Sequence, residues 1–257
     1  MGHHIIAESL IPGRGEPIED ATVVLEGPEI VFAGRTSDAP GRQTNDEVTE
    51  VATVLPGLWD CHTHFVGMRN PDIEKIATVN PVTSAARAVP DAAAMLSAGI
   101  TSVRDVGGLG LQMEPAVADG SINAPTIYAA GRVLSTTGGH GDIHAFPLDF
   151  VHQVTCASGF SILCDGIAEV TKAVRINLRD NARLIKICAS GGVMSEIDHP
   201  MHQQFSDDEL KAIVAEAARA ERIVAAHCHG KAGIMAALNA GCHTIEHGSF
   251  LDEEAAD

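Results

Sequence analysis

The stretch Pro56-Gly57-Leu58-Trp59-Asp60-Cys61-His62-Thr63-His64 ends on two histidines separated by one residue. In a β-strand, residues two apart project from the same face. His62 and His64 would then point together and could chelate one metal ion through imidazole nitrogens. Lys186 lies inside Leu184-Ile185-Lys186-Ile187-Cys188-Ala189. A lysine in so apolar a strand loses hydration, which disfavours its charged form. It is either paired with a carboxylate or a neutral amine able to take up carbon dioxide as a carbamate. A carbamate would replace the cation by an anionic group with two oxygens, fit to bridge two metal ions. Val224-Ala225-Ala226-His227 and Thr244-Ile245-Glu246-His247 are further apolar runs that close on histidine. His227 directly continues its strand and is the better ligand candidate of its doublet, whereas His229 would stand behind a metal or face substrate. Any one of these histidines could be a satisfied core group; their recurrence at strand ends points to a metal site.

Strands must hold these side chains. From residue 53 onward, short β-branched runs alternate with helical stretches, the rhythm of βα units and a parallel sheet. Strands are expected at 53–64, 101–106, 126–134, 183–189, 222–227 and 242–247. Between them, Ile167, Val170, Val174 and Leu178 recur at helical spacing as one apolar stripe. Ser206 and Glu209 form a capping box ahead of Leu210, Ile213, Val214 and Ala217, and an Ala-rich helix over 231–240 stops at Gly241. Polar residues collect at the carboxyl ends of successive strands: His62 and His64, Asp105, Ser135 to His140, Lys186, His227 and His247. A doubly wound sheet binds at one crevice, while a barrel gathers residues from several strand ends. The expected fold is therefore α/β, a (β/α)8 TIM-type barrel over 53–257, incomplete at about six βα units. Residues 1–52 read as the N-terminal part of a small β-sandwich domain, with a hairpin turning at Gly27-Pro28.

The 257 residues are 45 % apolar, and 34 acidic against 17 basic residues give a formal charge of −17. Such a surface repels phosphate backbones, so neither nucleic acid nor an anionic membrane is an expected partner. No apolar run approaches the roughly 18 residues of a membrane span, and the first residues lack the basic region and long apolar stretch expected of an export leader. A cytoplasmic protein with reduced cysteines is expected: the six cysteines form no CxxC pair, and four lie in or beside apolar strand-like runs. The thirteen histidines fall largely in pairs, which favours a metal site.

Residues 55–64, with Lys186, His227 and His247, resemble the amidohydrolase superfamily, and more closely its carboxylated-lysine branch of Xaa-Pro dipeptidase (prolidase)-like enzymes and ochratoxinase. Residues 225–237 resemble ochratoxinase-type sequences in particular. The resemblance implies two divalent ions, usually zinc. His62 and His64 would hold the more buried ion, His227 and His247 the other, and a carbon dioxide-derived carbamate on Lys186 would bridge them. A hydroxide shared by the metals would attack an amide carbonyl. The implied substrate is a dipeptide, an N-acyl amino acid or an ochratoxin-like aryl amide. The family also carries an aspartate at the end of an eighth strand, and residues 252–257 come too soon after His247 to supply it. A C-terminally truncated barrel is thus expected. It would need a complementing C-terminal chain or else be a catalytically incompetent fragment. A cyclic amide or imidazolone ring hydrolase of the same superfamily is the alternative activity.

The loops 136–144 and 191–205 follow the third and fourth expected strands and would shape the substrate pocket. His140 is the favoured substrate contact. Relatives in this family commonly form homo-oligomers.

Overall fold

Gly27 adopts a left-handed backbone (φ 60°) and turns β2 (Ile18–Glu26) back onto β3 (Glu29–Arg35) as the expected antiparallel hairpin. The computed structural model describes residues 2–70 and 72–257, without the side chains of 156–158. The chain divides into two compact units, 1–58 and 59–257. In the first, β1 (Gly2–Leu10) pairs antiparallel with β2 and parallel with β4 (Glu47–Val54), giving the order β3-β2-β1-β4. Leu10, Ala21 and Val23 form its small buried cluster. The described residues of this unit form one four-stranded sheet.

The second unit alternates strands and helices. It opens with β5 (Leu58–Thr63), α1 (Glu74–Thr78), α2 (Pro81–Ser97), β6 (Ile100–Asp105), α3 (Gly110–Ala118), β7 (Thr126–Ala129) and β8 (Val133–Ser135). Then come α4 (Leu148–Ser158), β9 (Ser161–Leu163), α5 (Gly166–Arg179), β10 (Ile185–Cys188), α6 (Asp207–Ala218), β11 (Val224–Cys228), α7 (Lys231–Ala240), β12 (Thr244–His247) and α8 (Glu253–Ala256). The strands lie in two sheets, β5-β6-β7 and β12-β11-β10-β8-β9. Neighbours run parallel in β6/β7, β8/β9, β8/β10, β10/β11 and β11/β12. This is an α/β fold with parallel sheets.

Two strand expectations are corrected, and one strand, β9, lies outside them all. The run 53–64 is not one strand: Thr53 and Val54 end β4, and β5 begins at Leu58. The run 126–134 breaks at Gly131, where φ is 71° and an added Cβ would lie 2.7 Å from Leu111 Cδ1. Its halves, β7 and β8, belong to different sheets. Strand β9 has three residues, too few for a period-two pattern to be read.

Ile185 and Ile187 of β10 pack with Val170, Val174, Phe205, Leu210 and Ile213 in the main core. Ile167, in the first turn of α5, is exposed and stands outside that core. The Ser206 hydroxyl accepts from the Glu209 backbone N–H, and the Glu209 carboxylate accepts from the Ser206 N–H at 2.7 Å. Ser206→Ala removes this cap and should lower stability by about 1 kcal/mol. A fall in the urea midpoint at unchanged slope would register it; an unmoved midpoint would show that the cap contributes nothing. Gly241 (φ 87°) ends α7 as expected.

Cys164, Cys188 and Cys228 are buried free thiols and Cys242 is half-buried. Cys61 departs from the expected core placement: it is exposed on β5, an edge strand of its sheet. The side chain of Cys156 lies outside the described residues. Among the described residues, no helix is long and apolar enough to cross a membrane.

Candidate metal and active site

Alternation along β10 sends Ile185 and Ile187 into the helix-covered core and turns Lys186 and Cys188 to the opposite face. Lys186 and Cys188 line a cavity of about 340 Å³ shared with His62, His64, His227 and His247. Two residues before Lys186, Leu184 packs with Val106, Ala130 and Ala225 in a small apolar cluster. Lys186 is 2 % exposed, and its Nζ has no hydrogen-bond partner among the described residues. Burial lowers its pKa to about 8, against a smaller opposing pull from Cys188 and Glu246. Among the described residues, the carboxylate partner that the sequence allowed for is absent at hydrogen-bond distance.

The imidazoles form a continuous chain around this amine. Ring centroids are 5.2 Å apart for His62 and His64, 4.8 Å for His62 and His247, and 4.6 Å for His247 and His227. His229 joins them at 4.7 Å from both His227 and His247. One ligand atom from each of His227, His229 and His247 falls within 4.8 Å of the others. His229, expected behind the metal or facing substrate, thus stands in the same cluster, its Nδ1 2.7 Å from Ser249 Oγ.

Hydrogen bonding selects the free nitrogen on three rings. His64 donates from Nδ1 to the Gly107 carbonyl at 2.8 Å, and His62 donates from Nδ1 to Glu246 Oε2 at 2.7 Å. Nε2 of each is left as a ligand atom. His227 donates from Nε2 to the Gly191 carbonyl at 3.1 Å, leaving Nδ1. Loss of hydration also favours the neutral form of His64, His227 and His247. It drives His64 down to about 4, although the bond to Gly107 pulls upward. His247 falls to about 4 by burial and by the neighbouring charges of His62 and Lys186, and His227 is lowered for the same kinds of reason. Neutral imidazole is the form that binds metal.

Two supporting groups deepen the sequence reading. Asp105, expected only as a strand-end polar residue, is fully buried. Its carboxylate accepts from the backbone N–H of Phe65 at 3.1 Å and of Gly110 at 2.7 Å. It therefore clasps the turn 106–110, whose Gly107 carbonyl anchors His64. Burial raises its pKa to about 6, against those two hydrogen bonds. Glu246 escaped sequence reasoning altogether, although an acidic residue inside an apolar strand is the same clue that singled out Lys186. Burial alone would raise its pKa; the bond from His62, the charge of Lys186 and the contacts with Thr244 and Arg104 outweigh burial and bring it to about 2.

His140 lines the cavity and stacks on His227 at 4.3 Å. Its Nδ1 lies 2.6 Å from Ser195 Oγ, and its backbone N–H donates to Gln204 Oε1 at 3.1 Å. These bonds tie the loop 136–144 to the loop 191–205. A side chain at Gly192 would collide with the His140 ring. Val193 and Met194 of the second loop add an apolar wall. Not every histidine pair takes part: His199 and His202 pack together, exposed, outside the cavity.

The family model described as "Amidohydrolase family" matches residues 53–256. The chain belongs to the amidohydrolase family. Ochratoxinase of Aspergillus niger is 44 % identical over 264 residues, covering 97 % of this chain and 55 % of the relative. The crystal structure of A. niger ochratoxinase superposes with a TM-score of 0.93 at 43 % identity, over 99 % of this chain and 62 % of that one. A prolidase complexed with N-methylphosphonate-L-proline gives a TM-score of 0.89 at 35 % identity, over 100 % of this chain and 63 % of that one. A Xaa-Pro dipeptidase with methionine in its active site gives 0.88 at 32 %, over 99 % and 63 %. The chain thus spans little more than half the length of ochratoxinase.

Proposed function

We propose that this amidohydrolase-family chain serves metal-dependent hydrolysis of a carbon–nitrogen bond in a small amide: a dipeptide, an N-acyl amino acid or an ochratoxin-like aryl amide. The observation that carries the reading is the Lys186 amine, buried and unpartnered, in one cavity with His62, His64, His227 and His247. An orphaned buried amine is unfavourable unless something answers it. Conversion to a carbamate by carbon dioxide, with release of a proton, would give it anionic oxygens and a use. The donor set then suits two divalent ions, with zinc matching imidazole and carboxylate-like oxygen donors. His62 and His64 would hold one ion, His227 and His247 the other, and carboxylated Lys186 both. When bound, such ions acidify water and polarise a carbonyl.

The remaining residues bind and orient. His140 presents Nε2 to the cavity once Nδ1 is engaged by Ser195, and it would hold the scissile carbonyl or the substrate carboxylate. Val193 and Met194 would exclude water beside an apolar substrate group. The names ochratoxinase, prolidase and Xaa-Pro dipeptidase among the relatives support an amide whose amine half carries a carboxylate.

Elemental analysis of the purified protein, paired with a panel of dipeptides, N-acyl amino acids and ochratoxin A, tests the reading. About two ions per chain are expected and, in an active preparation, metal-dependent release of an amine. A protein that binds no divalent ion would overturn it. In an active preparation, His140→Ala should lower kcat/KM by about 100-fold or more, the scale on which a donor to a reacting oxygen matters. Unchanged kinetics would remove His140 from the site.

A further inference from the structure

Glu246 and His247 are consecutive residues of β12, so a regular strand would send them to opposite faces. Both nevertheless reach the same imidazole. Glu246 Oε2 lies 2.7 Å from His62 Nδ1, and the His247 ring lies 4.8 Å from the His62 ring. The reason is local: His247 has φ 69°, a left-handed backbone uncommon for a residue with a side chain, and the alternation ends there. Such a conformation persists only where the surroundings hold it.

Arg104 fixes Glu246, the residue before His247. Its Nη2 donates to Glu246 Oε1 at 2.5 Å, and its Nε donates to the Cys61 carbonyl, next to His62, at 2.7 Å. Its Nη1 reaches Thr244 Oγ1 at 3.2 Å, and that hydroxyl donates to Glu246 Oε1 at 2.8 Å. One guanidinium on β6 thereby grips the backbone of β5 and a carboxylate on β12. Glu246 is 5 % exposed, so the pair is shielded and its charges must answer each other. Both carboxylate oxygens are used, one on the guanidinium and one on the imidazole. No ordinary packing requirement places a buried ion pair against a histidine of the cavity.

We propose that Glu246, clamped by Arg104, is a positioning residue. It fixes the proton of His62 on Nδ1, aims Nε2 into the cavity, and ties that ring to the strand bearing His247. The proposal rests on the metal-site reading above. A carboxylate or carbonyl behind a ligating histidine sets its tautomer and orientation, and losing it lowers metal affinity by about 10- to 100-fold.

Titration of metal-free protein with Co2+, followed by its visible absorption and by competition with a chelator, tests this. Glu246→Gln is nearly isosteric and should weaken one of the two Co2+ sites by about 10- to 100-fold while leaving the other close to wild type. Glu246→Leu should lose that site entirely. Arg104→Lys should fall between, because an ammonium cannot reproduce the forked geometry. Long-range 1H–15N spectra of the metal-free proteins add a second readout: His62 should be the Nδ1–H tautomer in the wild type and a tautomeric mixture in Glu246→Leu. Two undisturbed sites in Glu246→Gln and Glu246→Leu would overturn the positioning role and leave the metal site standing. A loss of thermal stability with unchanged Co2+ affinity would overturn it too, since that is what a merely structural pair would give. Wild-type protein that takes up no Co2+ would overturn the metal site and this proposal together.

Discussion

Lys186→Ala should abolish metal-dependent hydrolysis, by more than the roughly 100-fold that loss of a group behind a ligand produces, and should reduce the bound metal to less than two ions. The substitution removes the only group in the cavity proposed to touch both ions. Formate or acetate added at high concentration should restore part of the activity, by placing a free carboxylate in the vacated space. Stability should move the other way. The Lys186 amine is buried, and its pKa is lowered from 10.5 to about 8. The folded state therefore disfavours the proton that the unfolded chain holds. This penalty on metal-free protein is full below pH 8 and disappears above about pH 10.5. Lys186→Met, which fills the space without a charge, should stabilise the metal-free protein at pH 7 by about 1–3 kcal/mol. Retention of turnover in Lys186→Ala, measured with the metal content controlled, would remove the lysine from the chemistry.

Gly108→Ala should disrupt the turn that supports His64. Gly108 has φ 156°, and an added Cβ would lie 2.9 Å from the backbone N and O of Phe65 and 3.1 Å from Asp105 Oδ1. Neither the backbone of Phe65 nor the clasped carboxylate can swing aside. The turn must move, and with it the Gly107 carbonyl that anchors His64 Nδ1. A loss of about 2–4 kcal/mol is expected, with weakened metal binding. Gly120 is the control: its φ is 79°, but nothing lies within 4 Å of an added Cβ. Gly120→Ala should lose only the about 1–2 kcal/mol of the left-handed backbone and leave metal affinity alone. Thermal denaturation with Zn2+ titration of both variants reads the difference. Equal behaviour would show that the 106–110 turn does not support His64.

The parts of this site legible in the sequence were those governed by periodicity. His62 and His64 two apart, Lys186 between isoleucines and His227 closing an apolar run follow strand alternation, whereas His247 joins them through its left-handed backbone, and the cavity collects all five. What escaped is set by contacts between distant segments. Glu246 has the same local pattern as Lys186, yet its partners Arg104 and His62 lie 142 and 184 residues away in sequence. The break at Gly131 was hidden because the β-branched and aromatic residues on either side of it read as one run. The exposure of Cys61 depends on its strand lying at a sheet edge, a property of the order of strands and not of their composition.

A crystal structure of the protein grown with zinc, with anomalous diffraction collected at the zinc edge, tests the central claim most directly. Two anomalous peaks are expected beside the five side chains, with planar density extending from Lys186 Nζ as a carbamate. A bare lysine, or zinc bound only at surface histidines such as His199 and His202, would contradict it.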